Sequence, residues 1–130
     1  MKTDHDTPYT KILIIDDEAA FTRMLKMNLE DAGAFEVETV NDSRAALKKA
    51  MDFEPDVILL DVVMPGMDGG DLAAEIRKKT SLKKVPIIFV SAMVGRSESS
   101  DGVFFSGGER FLAKPVKIDI LTREITQLLG

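Results

Sequence analysis

The chain has 130 residues, of which 45% are hydrophobic and 30% charged, a composition typical of one globular domain that buries its own core. Its net charge of −5 argues against direct nucleic-acid binding, and the absence of cysteine excludes disulfides and thiolate metal sites. The sequence shows no signal peptide and no apolar run of membrane-spanning length, which predicts a cytoplasmic location without membrane insertion.

The first third of the chain is predicted to contain a tail, a strand, a helix and a second strand. Residues 1–10 are polar and are expected to form a flexible N-terminal tail, before a single domain over residues 11–130. Residues 11–15 have the β-branched, apolar content of a buried strand. Apolar residues at helical spacing then run from Ala19 to Gly33, a glycine suited to ending a helix. Residues 35–40 form the second and weakest strand.

The middle third repeats this alternation. Asp42 or Ser43 is expected to cap a helix that ends before Pro55. Residues 57–60 are all apolar and indicate a strand buried on both faces, which ends at Asp61. A loop rich in proline and glycine follows, and residues 70–79 return to helical periodicity.

The last third contains two more apolar strands and a final helix. Residues 87–90 form a strand that ends at Ser91, and residues 110–113 form one that ends at Lys114. Apolar residues at helical spacing between 118 and 128 predict the terminal helix. Strands that alternate with helices predict an α/β fold, a doubly wound, five-stranded parallel sheet with helices on both faces. We expect the flavodoxin-like form of this fold, in which the strand order is 2-1-3-4-5.

Residues 95–108 lie where a fourth helix is due, but they are rich in glycine and serine. Each internal glycine costs a helix about 1 kcal/mol relative to alanine. Val103, Phe104 and Phe105 cannot all face the sheet from one helix, because neighbours differ by about 100° in direction. We therefore expect either a short, irregular helix or one large aromatic side chain that is partly exposed.

Polar side chains end four of the five strands, and parallel strands bring their carboxyl ends to one edge of the sheet. These residues are Asp16, Asp17, Asp61, Ser91 and Lys114. Each alone could be a helix cap or a solvated loop residue. Together they suit phosphoryl transfer to a carboxylate, because clustered carboxylates favour a hard cation such as Mg²⁺, and an aspartate can attack phosphorus to form an acyl phosphate. Lysine and hydroxyl groups neutralise or hydrogen-bond the phosphoryl oxygens.

These strand ends also carry motifs that resemble the receiver domain of two-component response regulators over residues 11–129. The motifs are Asp16-Asp17, Asp61 with Met64-Pro65-Gly66-Met67-Asp68-Gly69, Ser91-Ala92, and Phe111-Leu112-Ala113-Lys114-Pro115.

The resemblance implies a role for each matching residue. Asp61 is expected to be the phosphoacceptor, and Lys114 and Ser91 are expected to contact the phosphoryl group. Ser91 and Phe111 are expected to be the switch residues. Asp16, Asp17, Asp61 and the backbone carbonyl of Val63 are expected to hold Mg²⁺. The resemblance also suggests a cis peptide bond between Lys114 and Pro115.

The implied partners are a sensor histidine kinase or a phosphotransfer protein, and downstream a protein target or output domain. The implied chemistry is catalysis of the domain's own phosphorylation and dephosphorylation, rather than conventional turnover.

The side chains of Val63 and Met93 bracket the site and are apolar, which predicts slow hydrolysis of the acyl phosphate unless a residue such as Arg96 orients a water. If residues 95–108 form a marginally stable element, they are expected to respond to Ser91 and Phe111; the alternative is a simple surface loop.

Three other functions fit parts of the sequence. A haloacid dehalogenase-type phosphatase needs a second aspartate two residues after the first, and Val63 stands there. A flavin-binding electron carrier needs a phosphate-cradling loop after the first strand, where Asp16, Asp17 and Glu18 would repel a phosphate. A degenerate receiver that acts as a constitutive protein-interaction module is opposed by the complete set of acid, hydroxyl and lysine.

Overall fold

The computed structural model describes residues 9–64, 66, 68–92 and 101–130, in which strands and helices alternate along most of the chain. The strands are β1 (Thr10–Ile15), β2 (Phe35–Val40), β3 (Val57–Asp61), β4 (Ile87–Ser91), β5 (Val103–Ser106) and β6 (Glu109–Ala113). The helices are α1 (Ala19–Ala32), α2 (Ser43–Phe53), α3 (Gly69–Arg77) and α4 (Ile118–Leu129). None of these helices combines the length and apolar character that crossing a membrane requires.

The sheet has the order β2-β1-β3-β4-β6-β5, and its first five strands in that order are parallel. This confirms the predicted order, with β6 as the strand predicted over residues 110–113. All residues of β3 and β4 are buried, because helices cover both faces of the sheet and leave no polar side. Two apolar clusters, one on each face, form the core.

The sixth strand, β5, is a difference from the prediction. Residues 103–106 pair antiparallel with β6 at the edge of the sheet, where a fourth helix was due and the sequence indicated a short, irregular helix or a loop. Gly107 and Gly108 form the connection with φ values of 57° and 82°, the left-handed conformations that a tight hairpin turn requires. The expectation of an exposed aromatic is confirmed, since Phe105 is 64% exposed. Residues 95–100 of the segment lie outside the described residues.

Helix and strand ends differ slightly from the predictions. The side chain of Asp42 accepts a hydrogen bond from the Arg44 backbone N–H, so Asp42 is the cap of α2. Gly33 follows α1 in an extended conformation, with φ −177°, rather than in the left-handed conformation expected of a terminating glycine. β1 begins at Thr10, which pairs with Phe35. Residues 1–8 of the predicted tail lie outside the described part of the chain, so the tail stays a prediction.

Candidate functional site

Three carboxylates meet at the carboxyl ends of β1 and β3. The register pairs Ile15 of β1 with Leu60 of β3, so the next residues, Asp16 and Asp61, lie side by side. Asp16 and Asp61 are 1% and 6% exposed, whereas Asp17 is exposed. One oxygen from each of the three carboxylates lies within 4.8 Å of the others. The structure therefore brings together the three carboxylates that the sequence predicted to share one edge of the sheet.

Lys114 reaches this cluster from the end of β6. Its Nζ lies 2.8 Å from Oδ2 of Asp16, 2.8 Å from Oε1 of Glu18 and 3.9 Å from Oδ1 of Asp61. The same ammonium lies 4.4 Å from the ring centroid of Phe21, in cation–π geometry. Its pKa is raised: burial, the largest single influence, lowers it, but the contacts with Asp16, Glu18 and Asp61 together raise it more. Lys114 therefore stays positively charged and balances part of the negative charge of the three carboxylates.

The buried carboxylate of Asp16 fits a cation-binding role. Its Oδ1 accepts a hydrogen bond from the Glu18 backbone N–H at 2.9 Å. Its Oδ2 has the ion pair with Lys114 but receives no well-aligned hydrogen bond from the described residues. A buried carboxylate oxygen normally accepts hydrogen bonds. Oδ2 of Asp16 has only its ion pair among the described residues and lies beside two further carboxylates, so it suits a hard divalent cation with oxygen ligands. The donor set therefore fits Mg²⁺.

The environment of Asp61 raises its pKa from 3.8 to about 6. Burial is the largest cause, the negative charges of Asp16 and Asp17 add to it, and Lys114 and a hydrogen bond from the Val63 backbone act in the opposite direction. A pKa of about 6 leaves Asp61 mainly ionised at neutral pH. The Val63 side chain is 56% exposed, and the role of its carbonyl stays a prediction.

Ser91 and Phe111 lie on the two strands beside the cluster. Ser91 is buried at the end of β4, and its backbone oxygen accepts a hydrogen bond from the Lys114 N–H at 3.1 Å. Phe111 is half-buried on β6 and stacks on Phe89 at 5.2 Å and on Phe104 at 4.8 Å between ring centroids. The Lys114–Pro115 bond is cis, as the resemblance suggested. Met93 and Arg96, singled out in the sequence, lie outside the described residues.

Sequence reasoning missed several contacts around these residues. Glu18 was read as part of an acidic triplet, but it pairs with Lys114. Asn41 Nδ2 donates both to the Asp16 carbonyl at 2.8 Å and to Thr22 Oγ1 at 2.9 Å, which ties the end of β1 to α1. Gly69 belongs to the segment that the sequence marks only as rich in proline and glycine, but a Cβ there would lie 2.5 Å from the backbone oxygen of Asp61. The Gly-Gly dipeptide at 107–108, a hairpin signal, could have revealed β5.

Comparison with known proteins agrees with this geometry. The family model described as the response regulator receiver domain matches residues 12–126. The chain is 36% identical over 118 residues to the response regulator PleD of Caulobacter vibrioides, which covers 91% of this chain and 26% of PleD. It is 29% identical over 119 residues to RpaA of Synechocystis, named as a DNA-binding transcriptional regulator, with 92% and 48% covered. The chain therefore spans about a quarter to a half of these relatives. The name of RpaA does not support the expectation of no direct nucleic-acid binding, which stays a prediction about these 130 residues.

Solved structures lead to the same family. The response regulator TrrA of Thermotoga maritima, solved in complex with Mg²⁺-BeF, superposes with a TM-score of 0.73 at 34% identity, covering 92% of this chain and 99% of TrrA. Receiver domains of this kind accept phosphoryl groups in two-component signalling, and they work with histidine kinases and output domains. With a family model that spans nearly all of the fold and an acidic site at the expected strand ends, this chain belongs to the response regulator receiver domain family.

Proposed function

We propose that this chain accepts a phosphoryl group on Asp61 from a sensor histidine kinase or a phosphotransfer protein, and that the modified domain controls a protein target or an output domain. The observation that carries the proposal is the position of Asp61. It is a buried carboxylate at the end of β3, beside Asp16 and Asp17 and within 3.9 Å of the Lys114 ammonium.

The transfer step needs an ionised Asp61. A carboxylate oxygen of Asp61 attacks the phosphorus, the bond from phosphorus to the donor nitrogen breaks, and its electron pair leaves with the donor histidine. The product is an acyl phosphate. Since burial and neighbouring acids hold the pKa of Asp61 at about 6, the ionised form predominates at pH 7 without a separate general base.

Two side chains are placed to stabilise the charge that develops on the phosphoryl oxygens. Lys114 supplies a positive charge, and it would exchange part of its contact with Asp16 and Glu18 for the new anion. Ser91 supplies a hydroxyl at the end of the neighbouring strand. Asp16, Asp17, Asp61 and the Val63 carbonyl would hold Mg²⁺, which when bound neutralises phosphoryl charge.

The signal is proposed to leave the site through Ser91 and Phe111. Ser91 moves toward the phosphoryl group, and Phe111 on the adjacent strand responds to that movement, because the end of β4 and the start of the loop after β6 share a backbone hydrogen bond. The complete set of Asp61, Ser91 and Lys114 argues against a degenerate, constitutive interaction module. The exposed, apolar Val63 side chain supports slow hydrolysis of the acyl phosphate, because it gives a water no hydrogen bond.

Intact-mass measurement with acetyl phosphate as the donor tests this function. Wild-type protein is expected to gain one phosphoryl group in Mg²⁺ and none in EDTA, and Asp61→Asn is expected to gain none in either. A Mg²⁺-dependent gain that survives in Asp61→Asn would overturn the assignment. If wild-type protein stays unmodified in Mg²⁺ with both acetyl phosphate and a phosphorylated histidine kinase, the constitutive interaction module becomes the better account.

A further inference from the structure

Three aromatic rings stack across the edge of the sheet, and the outermost belongs to the strand that replaced the expected helix. Phe111 lies between Phe89 on β4 and Phe104 on β5. The Phe104 and Phe111 rings are 4.8 Å apart between centroids and only 15° from parallel. Aromatic pairs at this separation contribute to stability beyond the area they bury. Phe104 therefore favours the position in which Phe111 is found.

The stack is joined to the phosphoacceptor site through two strands. Phe89 and Phe111 are register partners, Ser91 follows Phe89 by two residues, and Lys114 follows Phe111 by three. The N–H of Lys114 donates to the carbonyl of Ser91 at 3.1 Å, which links the ends of the two strands beyond the rings. The ends of β4 and β6 and the Phe111 ring are thereby connected through one backbone hydrogen bond and the pairing of the two strands.

The position of Phe104 is fixed by the hairpin that carries it. The backbone N–H of Ala113 donates to the Gly102 carbonyl at 3.0 Å, and Asp101 forms an ion pair with Arg123 of α4 at 2.6 Å. At the other end, Glu109 forms two hydrogen bonds with Arg77 of α3, at 2.8 and 2.9 Å. Helices on both faces thus hold the hairpin, so Phe104 cannot follow Phe111 without a change in these contacts.

We propose that Phe104 is a positioning residue that opposes phosphoryl binding by holding Phe111, an inference that rests on the proposed function of Asp61. In the arrangement described, Lys114 Nζ lies nearer to Asp16 and Glu18, at 2.8 Å, than to Asp61, at 3.9 Å, and Phe111 lies between its two ring partners. A phosphoryl group on Asp61 draws Ser91 and Lys114 toward it and away from that arrangement. Because coupling between two sites is reciprocal, contacts that stabilise the present position of Phe111 weaken phosphoryl binding.

The neighbouring residue on β5 provides a matched control. Phe105 has the same side chain one position along, points to the opposite face of the sheet, and is 64% exposed over the guanidinium of Arg110. Replacing Phe104 removes the stack on Phe111, whereas replacing Phe105 removes the same number of atoms from the same strand without touching it. Both changes carry a similar loss of strand propensity.

The test compares the affinity of wild type, Phe104→Leu and Phe105→Leu for beryllium fluoride in Mg²⁺, measured by isothermal titration calorimetry. Phe104→Leu is expected to bind about twofold to tenfold more tightly than wild type, the range that corresponds to one aromatic stack, and Phe105→Leu is expected to match wild type. In a Phe111→Leu background, the further change at Phe104 is expected to have no effect on affinity. A purely structural role would lower the urea midpoint of Phe104→Leu but leave the affinity of the folded protein unchanged.

The outcomes separate this inference from the function on which it rests. If wild-type protein does not bind beryllium fluoride, the proposed function fails. If wild type binds and Phe104→Leu binds equally or more weakly, the inference is overturned and the function stands. Should Phe104→Leu not fold, Phe104→Met keeps more of the side-chain volume but removes the ring, and the same affinity criterion applies to it.

Discussion

The Nζ of Lys114 lies 2.8 Å from Oδ2 of Asp16, an oxygen that receives no well-aligned hydrogen bond from the described residues. This contact joins the end of β6 to the end of β1, across the ends of β4 and β3, and Asp61 is the last residue of β3. It makes Lys114 the main counter-charge for a cluster of three carboxylates. The stability of the fold and the chemistry of the site are therefore linked, and the linkage can be measured.

Ionisation of Asp61 is expected to cost stability when Mg²⁺ is absent. The folded state raises the pKa of this carboxyl from 3.8 to about 6, so it binds the proton more tightly than the unfolded state does. The contribution of Asp61 to stability therefore falls as pH rises from about 4 to 6 and is level above that. Asp61→Asn removes the charge and is expected to gain about 1–3 kcal/mol at pH 7.5.

Urea denaturation in EDTA at several pH values measures this effect. The advantage of Asp61→Asn should be small near pH 4, grow through pH 6 and then level off. Glu36→Gln, which neutralises an exposed carboxylate on β2, is the control and should show a change below about 0.5 kcal/mol at every pH. An Asp61→Asn variant no more stable than wild type at pH 7.5 would contradict the electrostatic account of the cluster.

Binding of Mg²⁺ is expected to stabilise the wild-type fold, because a cation that binds only the folded state shifts the unfolding equilibrium by mass action. At a Mg²⁺ concentration 100 times the dissociation constant, the gain is about 2.7 kcal/mol. Asp17→Ala removes the exposed ligand of the three and should abolish most of this gain. Because Asp17 is exposed, the variant should resemble wild type in EDTA.

Thermal unfolding of wild type and Asp17→Ala at increasing Mg²⁺ concentrations measures this difference in stabilisation. The same titration with Ca²⁺ provides the comparison with a larger cation. Equal stabilisation of wild type and Asp17→Ala would show that the cation binds elsewhere.

Most of the fold and the site could be predicted from the sequence, for a physical reason. Strands buried on both faces, such as β3 and β4, are continuous runs of apolar residues. Each of these two runs stops at a polar residue, Asp61 in β3 and Ser91 in β4. Since parallel strands end at one edge, placing the strands also placed the site. The alternation with helices predicted a parallel sheet, and the strand order was that of the flavodoxin-like form of the doubly wound fold.

The parts of the structure that the sequence did not predict, β5 and the contacts of Lys114, depend on features that composition and periodicity do not encode. Poor helix propensity over residues 95–108 indicated only what the segment would not favour; the positive φ values of Gly107 and Gly108 and the pairing with β6 determined what it formed. The contacts of Lys114 with Glu18 and Phe21 depend on the directions of side chains that lie far apart in sequence, 96 residues in the case of Glu18. Sequence spacing carries no such information.

Gly69 is expected to be essential for the loop that returns from β3 to α3. A Cβ at this position would lie 2.5 Å from the Asp61 backbone oxygen and 2.9 Å from the Val62 Cα, and backbone atoms cannot move aside cheaply. Gly69→Ala is therefore expected to lose about 1–3 kcal/mol of stability. The adjacent Gly70 is the control, because a Cβ there meets only the Asp68 side chain, at 3.2 Å.

Chemical denaturation of both variants checks this prediction. Gly70→Ala should lie within about 1 kcal/mol of wild type, because alanine's helix propensity offsets the tight contact. Comparable losses of stability in the two variants would show that the flexibility of the helix end, rather than close approach to the Asp61 backbone, determines the effect of these substitutions.

The central claim, that Asp61 is the phosphoacceptor, is tested most directly by locating the modified residue. After reaction with a phosphodonor in Mg²⁺, borohydride reduction converts an aspartyl phosphate to homoserine, and peptide mass spectrometry then identifies the position. We predict that homoserine appears at position 61 and that Asp16 and Asp17 stay unmodified. Homoserine at position 16 or 17, with Asp61 unchanged, would contradict the account.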